Sequence, residues 1–352
     1  MSARPRIALR VHGGLSARDC AAQARAAEDA GFSSVWFAEN AFGRGAMSGL
    51  AASALATRSI RLGVGVFNPF NRHPTLIAME IAALDELSDG RVVLGIGSGI
   101  RHGQMGLPAP RRSAAVRDTI HIVSRLLRGE TVEYEGPAFS AHGARLECPL
   151  RRAAVPIFMA AMGDRALELC GRLADGVIIS NLSPPAFTRR AVGLVARGAA
   201  AVERPMPGEV VQYVTGAIDD DSHAARRRAK AAVGPMLVAY CHHGRASAAT
   251  QSAVRDYNGL TPDEFARVVR RLADGDAAAD VIDDALLDCY AIAGTVSECL
   301  DRCDTYGEAG VTELGFSFAG EQPLRDIARV GRALDSARRA RDDERSSPLP
   351  KG

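Results

Sequence analysis

A repeated rhythm constrains this chain more than any other feature: a short apolar run, a glycine-bearing loop, then an amphipathic helical stretch. The apolar runs fall at 6–11, 34–38 (SVWFA), 60–67 (IRLGVGVF), 91–97 (RVVLGIG), 156–160 (PIFMA), 176–180 (GVIIS), 209–218 and 312–318 (TELGFSF). Helical patterns follow at 17–30, 46–57, 74–87, 114–127, 164–173, 185–201, after 221–222, and at 296–309 and 323–337. Ser16 is a natural N-cap for the first helix and Gly31 its terminator. Strands alternating with helices imply parallel βαβ units. A doubly wound open sheet would fit the first half equally well. The count of eight apolar runs, with no second compositional zone, favours an α/β fold of the closed (β/α)₈ TIM-barrel type. Such a barrel takes about 250 residues or more as one unit, so 1–337 reads as a single domain.

Three segments depart from the rhythm. Residues 131–150 alternate around a Gly-Pro turn and suggest a small hairpin. Residues 241–290 look like a helical insertion after strand seven, and 338–352, charged and proline-bearing, read as a disordered tail. The net charge of +2 gives no field for nucleic acid or an anionic membrane. Seven cysteines at irregular spacing, with no preceding signal peptide, suit a reduced cytoplasmic protein. No metal site is expected: Cys299 and Cys303 are only two thiols, and the adjacent Cys241, His242 and His243 cannot easily converge on one ion.

In a (β/α)₈ barrel the active site is built at the C-terminal ends of the strands. Those ends are Val11-His12-Gly13-Gly14, Ala38-Glu39-Asn40, Phe67-Asn68-Pro69, Gly97-Ser98-Gly99-Ile100, Ala160-Ala161-Met162-Gly163 and Ser180-Asn181. They carry small residues, amides, hydroxyls and one carboxylate. They hold no Ser-His-Asp set, no metal-spaced histidine pair and no phosphate-binding P-loop, which suits an enzyme whose cofactor does the chemistry. Gly95-Ile96-Gly97-Ser98-Gly99 fails as a dinucleotide fingerprint, because prolines rather than a helix follow it. Its glycines either ease packing or let a bulky ligand approach the backbone, and Gly63 and Gly65 pose the same choice. Met162-Gly163-Asp164-Arg165 leads straight into a helix, so it is either an anion site for a cofactor phosphate or simply a turn and cap.

Several of these stretches resemble the luciferase-like superfamily, and within it the F420-dependent, methylenetetrahydromethanopterin reductase-like branch. The matching residues are Trp36-Phe37-Ala38-Glu39-Asn40, 62–74 (LGVGVFNPFNRHP), 84–99 (LDELSDGRVVLGIGSG), 156–163 and 171–176 (GRLADG). The resemblance implies coenzyme F420 as cofactor, with FMN as the alternative. It also implies a bulge in strand three with a cis bond at Gly65–Val66 behind the deazaflavin ring. Glu39, Asn68, Ser98, Gly99, Gly103, Met162, Gly163, Arg165 and Ala166 fall where relatives contact the cofactor. Relatives that oxidise sugar phosphates have Asp-His where this chain has Glu39-Asn40, and Glu where it has Ile100, which argues against that activity.

The expected function is hydride transfer between reduced F420 and an organic substrate, as a reductase of a C=C or C=N bond. An FMN-dependent monooxygenase is the alternative, and a non-catalytic flavin-binding protein the second. Glu39 is the carboxylate nominated to handle protons; Asn40 can orient, and His12 is a second proton candidate. The expected partners are a small-molecule or peptide substrate and a second copy of the chain in a homodimer.

Overall fold

The computed structural model describes residues 4–99, 102–107 and 110–346. Ile100 lies outside the described residues, and Gly103 is described in its backbone only, within a 3-10 turn at His102–Met105.

The chain runs β1 (Arg6–Val11), α1 (Ala17–Asp29), β2 (Ser34–Phe37), α2 (Ala46–Ala56), β3 (Arg61–Phe67), α3 (Pro74–Leu87), β4 (Val92–Ile96) and α4 (Arg112–Leu126). The hairpin β5 (Val132–Glu135) and β6 (Ser140–Ala144) follows. Then come β7 (Ile157–Ala160), α5 (Asp164–Leu173), β8 (Gly176–Ile179), α6 (Pro185–Ala200), β9 (Glu209–Ile218) and α7 (Ser222–Leu237). A π-helical turn at Val238–His242 opens the insertion, which continues as α8 (Ala248–Arg255), α9 (Pro262–Ala273), α10 (Ala278–Val281) and α11 (Asp284–Tyr290). The chain closes with β10 (Ala291–Gly294), α12 (Val296–Glu308), β11 (Glu313–Phe318) and α13 (Pro323–Ser346).

Parallel pairing runs β9-β11-β1-β2-β3-β4-β7-β8, and β8 pairs back to β9, so eight strands form a closed ring with helices outside. The expected barrel and its insertion are both present. Two features differ from the sequence reading. The short strand β10, Ala291–Gly294, was not anticipated; it pairs with Thr215–Ile218 of β9, on the edge where β8 pairs with Glu209–Gln212. A long β9 thus carries two partners end to end on one side. Within the expected tail 338–352, α13 continues to Ser346, and 347–352 lie outside the described residues.

Two cores follow from the strand alternation. Outward-facing residues such as Leu9, Leu62, Leu94 and Leu314 pack against the helices. Inward-facing Ala8, Trp36, Val93, Phe158, Ile178, Val211 and Tyr213 fill the barrel. At its lower end the buried Glu313 carboxylate accepts hydrogen bonds from Trp36 Nε1 (2.8 Å), Ser34 Oγ (2.7 Å) and Ser33 Oγ (2.9 Å). A buried carboxylate with three donors is satisfied. The barrel is therefore plugged at this end.

Candidate active site at the barrel mouth

The mouth rests on β3. Its pairing with β4 shifts register between Val64 and Phe67, and the Gly65–Val66 peptide bond is cis, as the family resemblance implied. Val66 and Ala160 are half-buried and pack on the inner core, forming an apolar floor. Side chains of the protein itself approach the glycines here. A Cβ on Gly65 would lie 1.9 Å from the Tyr213 hydroxyl oxygen. Gly95 and Gly97 make room for the bulge, with Val64 O at 2.1 Å and Val66 Cγ2 at 2.8 Å from their notional Cβ atoms. Packing therefore explains these glycines, and the ligand-approach reading is not needed for them. Gly99 differs: its φ of +65° favours glycine, and it lies against the Asn68 amide. Asn68 is buried, and its Oδ1 accepts from the Phe70 N–H (3.1 Å), which folds the loop after β3. Ser98 is half-buried beside Gly99.

Glu39, at the end of β2, is tied to the loop after β3. Arg72 Nη1 lies 2.5 Å from Glu39 Oε1, and Arg72 Nε lies 2.6 Å from Glu80 Oε2 on α3. The guanidinium also covers the Phe67 ring at 4.4 Å. Glu39 Oε2 is buried and has no hydrogen-bond partner among the described residues. One carboxylate oxygen is thus held for structure while the other is an unused acceptor. Asn40 is exposed and packs beside Gly13 of the loop after β1.

His12 ends β1. Its Nδ1 accepts from the Gly14 N–H (3.0 Å), so the neutral ring carries its proton on Nε2. Burial, and then the neighbouring Arg10 charge, lower its pKa from the usual imidazole value. With Nδ1 engaged, His12 presents its Nε2 side at the end of β1 as a hydrogen-bond donor.

The turn Met162-Gly163 opens α5, and Gly163 is its N-cap without a side-chain bond. First-turn N–H groups of a helix have no intrahelical acceptor and favour an anion. Asp164 would oppose an anion there, but both its oxygens are held by Arg190 (2.6 and 2.7 Å). Arg165 is exposed and in no ion pair among the described residues, while Ala166 is half-buried. The insertion overlooks this turn, since a Cβ on Gly163 would meet Ala249 of α8 at 3.3 Å. Tyr257 anchors the insertion edge-on to Phe187 of α6.

The sequence reading assigned no role to Arg72, Arg10, Tyr213 or Asn181. Asn181, after β8, is buried with Oδ1 unpartnered. Arg10 was findable, because strand alternation puts it on the inward face between Ala8 and His12. Arg72 reaches Glu39 across 33 residues, which no local pattern reports. Among the described residues no group of three His, Cys, Asp or Glu side chains could hold a metal ion. Nor is any helix there long and apolar enough to cross a membrane.

Comparison with known proteins agrees with this geometry. A profile of the luciferase-like monooxygenase family matches residues 1–313. The chain is 30% identical over 317 residues to 5,10-methylenetetrahydromethanopterin reductase of Archaeoglobus fulgidus, covering 88% of this chain and 92% of that one. It is 31% identical to the enzyme of the same name from Methanolobus tindarius, covering 88% and 94%. The structure of the coenzyme F420-dependent tetrahydromethanopterin reductase of Methanopyrus kandleri superposes with a TM-score of 0.82 at 25% identity, covering 94% and 98%. A bulged third strand at the mouth of a plugged barrel, together with a family profile spanning most of the chain, places this protein in the luciferase-like monooxygenase family.

Proposed function

We propose that this chain is an F420-dependent oxidoreductase, moving a hydride between the deazaflavin and a small organic or peptide substrate and acting as a reductase of a C=C or C=N bond. The observation that carries this reading is the apolar floor of Val66 and Ala160 at the bulge of β3, with the buried acceptors Glu39 Oε2 and Asn181 Oδ1 left unpartnered at the ends of β2 and β8. The floor suits a flat ring, and the orphaned oxygens suit its donors. The kinship with enzymes named as F420-dependent and methylenetetrahydromethanopterin reductases supports the choice of cofactor.

Reduced F420 supplies the hydride when bound; the chain's residues position and protect. Val66 and Ala160 exclude water from below. Asn68, Ser98 and Gly99, with Gly103 further along, line the side next to β3 and β4. Met162, Gly163, Arg165 and Ala166 would hold the cofactor phosphate at the start of α5. Glu39 serves best as an acceptor fixed by Arg72, since one of its oxygens is already committed. His12, the second proton candidate, would donate a hydrogen bond from Nε2 to the substrate in its neutral form, and Asn40 would orient the substrate. Leu55 of α2 and Leu76 and Met79 of α3 are exposed apolar side chains available to the expected homodimer.

A side-by-side titration with F420 and FMN, followed by an oxygen-consumption assay, tests the proposal. F420 should bind well above FMN, with no oxygen uptake. Stoichiometric retention of FMN, with oxygen consumed in the presence of reduced FMN, would install the monooxygenase reading instead.

A further inference from the structure

The β5–β6 hairpin pairs with no strand of the ring, yet its turn reaches the loop after β3. A hydrogen bond from the Gly136 N–H to Phe139 O (3.1 Å) closes that turn. The buried Asp118 carboxylate of α4 fixes it. Oδ2 accepts from the Ala138 N–H (2.9 Å) and the Phe139 N–H (3.2 Å), and Oδ1 accepts from the Tyr134 hydroxyl (2.8 Å). The turn so held presents one aromatic ring to its neighbour. The Phe139 ring centre lies 6.4 Å from that of Phe70 and 5.6 Å, edge to face, from that of His73. Both separations fall within the range of attractive aromatic pairs, about 4.5–7 Å.

Phe70 and His73 flank Arg72 in the chain, and Arg72 is the residue that ties Glu39 to Glu80. The Arg72 and Glu39 side chains are only 16% and 12% exposed. An ion pair so far withdrawn from water is favourable only in good geometry, so the loop must hold Arg72 closely. His73 also caps α3, its Nδ1 accepting from the Thr75 N–H (3.3 Å), which joins the loop to the helix that carries Glu80. We propose that the hairpin is a positioning element of the site. Asp118 fixes the turn, Phe139 braces Phe70 and His73, and the braced loop keeps Arg72 on Glu39 Oε1 while Oε2 stays open to the ligand. Phe139 touches no reacting atom in this arrangement; it acts through Arg72. Without its ring the loop can relax, and Glu39 loses its fixed orientation.

The inference rests on the oxidoreductase reading for the word ligand, but its first test needs no cofactor. In protein labelled with ¹⁵N-arginine, the Arg72 Nε–H resonance is assigned by its loss in Arg72→Met and followed for exchange with water. Exchange should be about tenfold or more faster in Phe139→Ala and in Asp118→Asn, and near the wild-type rate in Phe139→Tyr, which keeps the ring. The Arg91 Nε–H, bonded to Ser88 O (2.6 Å) just before β4, should keep its rate in all three. An unchanged Arg72 rate in Phe139→Ala or Asp118→Asn, equal acceleration at Arg72 and Arg91, or a fast rate in Phe139→Tyr overturns the inference. F420 titration is the second arm. Phe139→Ala should weaken binding about tenfold in the otherwise wild-type chain and less than about twofold in the Glu39→Gln chain, because the effect travels through Glu39. Equal weakening in both chains overturns that route. The two proposals fail separately: no F420 binding by the wild-type chain rejects only the cofactor reading, since Arg72 exchange still reports the brace, and F420 binding that Phe139→Ala leaves unchanged rejects only this one.

Discussion

Gly65→Ala tests whether Tyr213 reserves the space beneath the mouth. The added Cβ would sit 1.9 Å from the Tyr213 hydroxyl oxygen and 3.0 Å from ring Cζ. Non-bonded heavy atoms settle at about 3.5–4.0 Å, so the overlap with the oxygen is on the order of 1.5 Å. The ring cannot step aside, being buried against Trp36 (ring centres 6.2 Å apart) with Arg10 over its face. Overpacking of a core costs about 1–3 kcal/mol, and this case belongs at about 3. Tyr213→Phe removes the oxygen and leaves only the milder Cζ contact. The hydroxyl it deletes is buried and unpartnered, so by itself that change should be within about 1 kcal/mol of neutral. In the Tyr213→Phe background Gly65→Ala should therefore cost about 1 kcal/mol, a coupling of about 2 kcal/mol. Equilibrium urea unfolding of the four proteins in the cycle measures it. An equal cost of Gly65→Ala in both backgrounds would refute the steric argument.

Other substitutions probe separate parts of the molecule. Glu39→Gln should weaken F420 binding while single-turnover hydride transfer persists; a fall of about 10²-fold or more in the chemical step at unchanged affinity would make Glu39 the acid instead. Arg165→Ala should weaken F420 binding more than binding of a phosphate-free deazaflavin core, and equal losses would reduce Arg165 to a fold-supporting role. Glu28 predicts an acid-side pH dependence. Burial raises its pKa, but the N–H groups of Ser59, Ile60 and Arg58 and the Ser59 hydroxyl outweigh burial and bring it down from 4.5 to about 2. The folded-state value is depressed, so its stabilisation is present above pH 4.5 and lost as pH falls towards about 2. After allowance for solvent screening it amounts to about 1–2 kcal/mol. Glu28→Gln should lose that amount at pH 7 and flatten the stability profile between pH 5 and about 2, as chemical denaturation at stepped pH would show.

The barrel was legible because its strands are apolar on both faces and punctuated by glycine, and because helix caps such as Ser16 and Gly31 are local signals. Strand β10 was not, since the four residues Ala291–Gly294 follow α11 with no loop between to mark where the strand begins. The glycines were visible but their meaning was not: a sequence shows that a Cβ is missing, not that Tyr213 or Val66 occupies its place. The Glu39–Arg72 contact depends on a loop crossing from β3 to β2, which periodicity cannot report. Arg10 could have been singled out, because an arginine among the inward positions of a barrel strand needs a counter-charge.

The two partners sharing one edge of β9 have a mechanical consequence. The excursion from α7 to α11 leaves the ring after β9 and returns through β10 to hydrogen-bond with that same strand. Both ends of the detour are clamped to one rod, so it forms a closed loop that the ring does not need for its own closure. A different loop with the same two clamps would satisfy the sheet equally well. The segment that leans on the Met162–Gly163 turn is thus an addition to the ring, while the opposite wall, where Arg10 stands, is built without it.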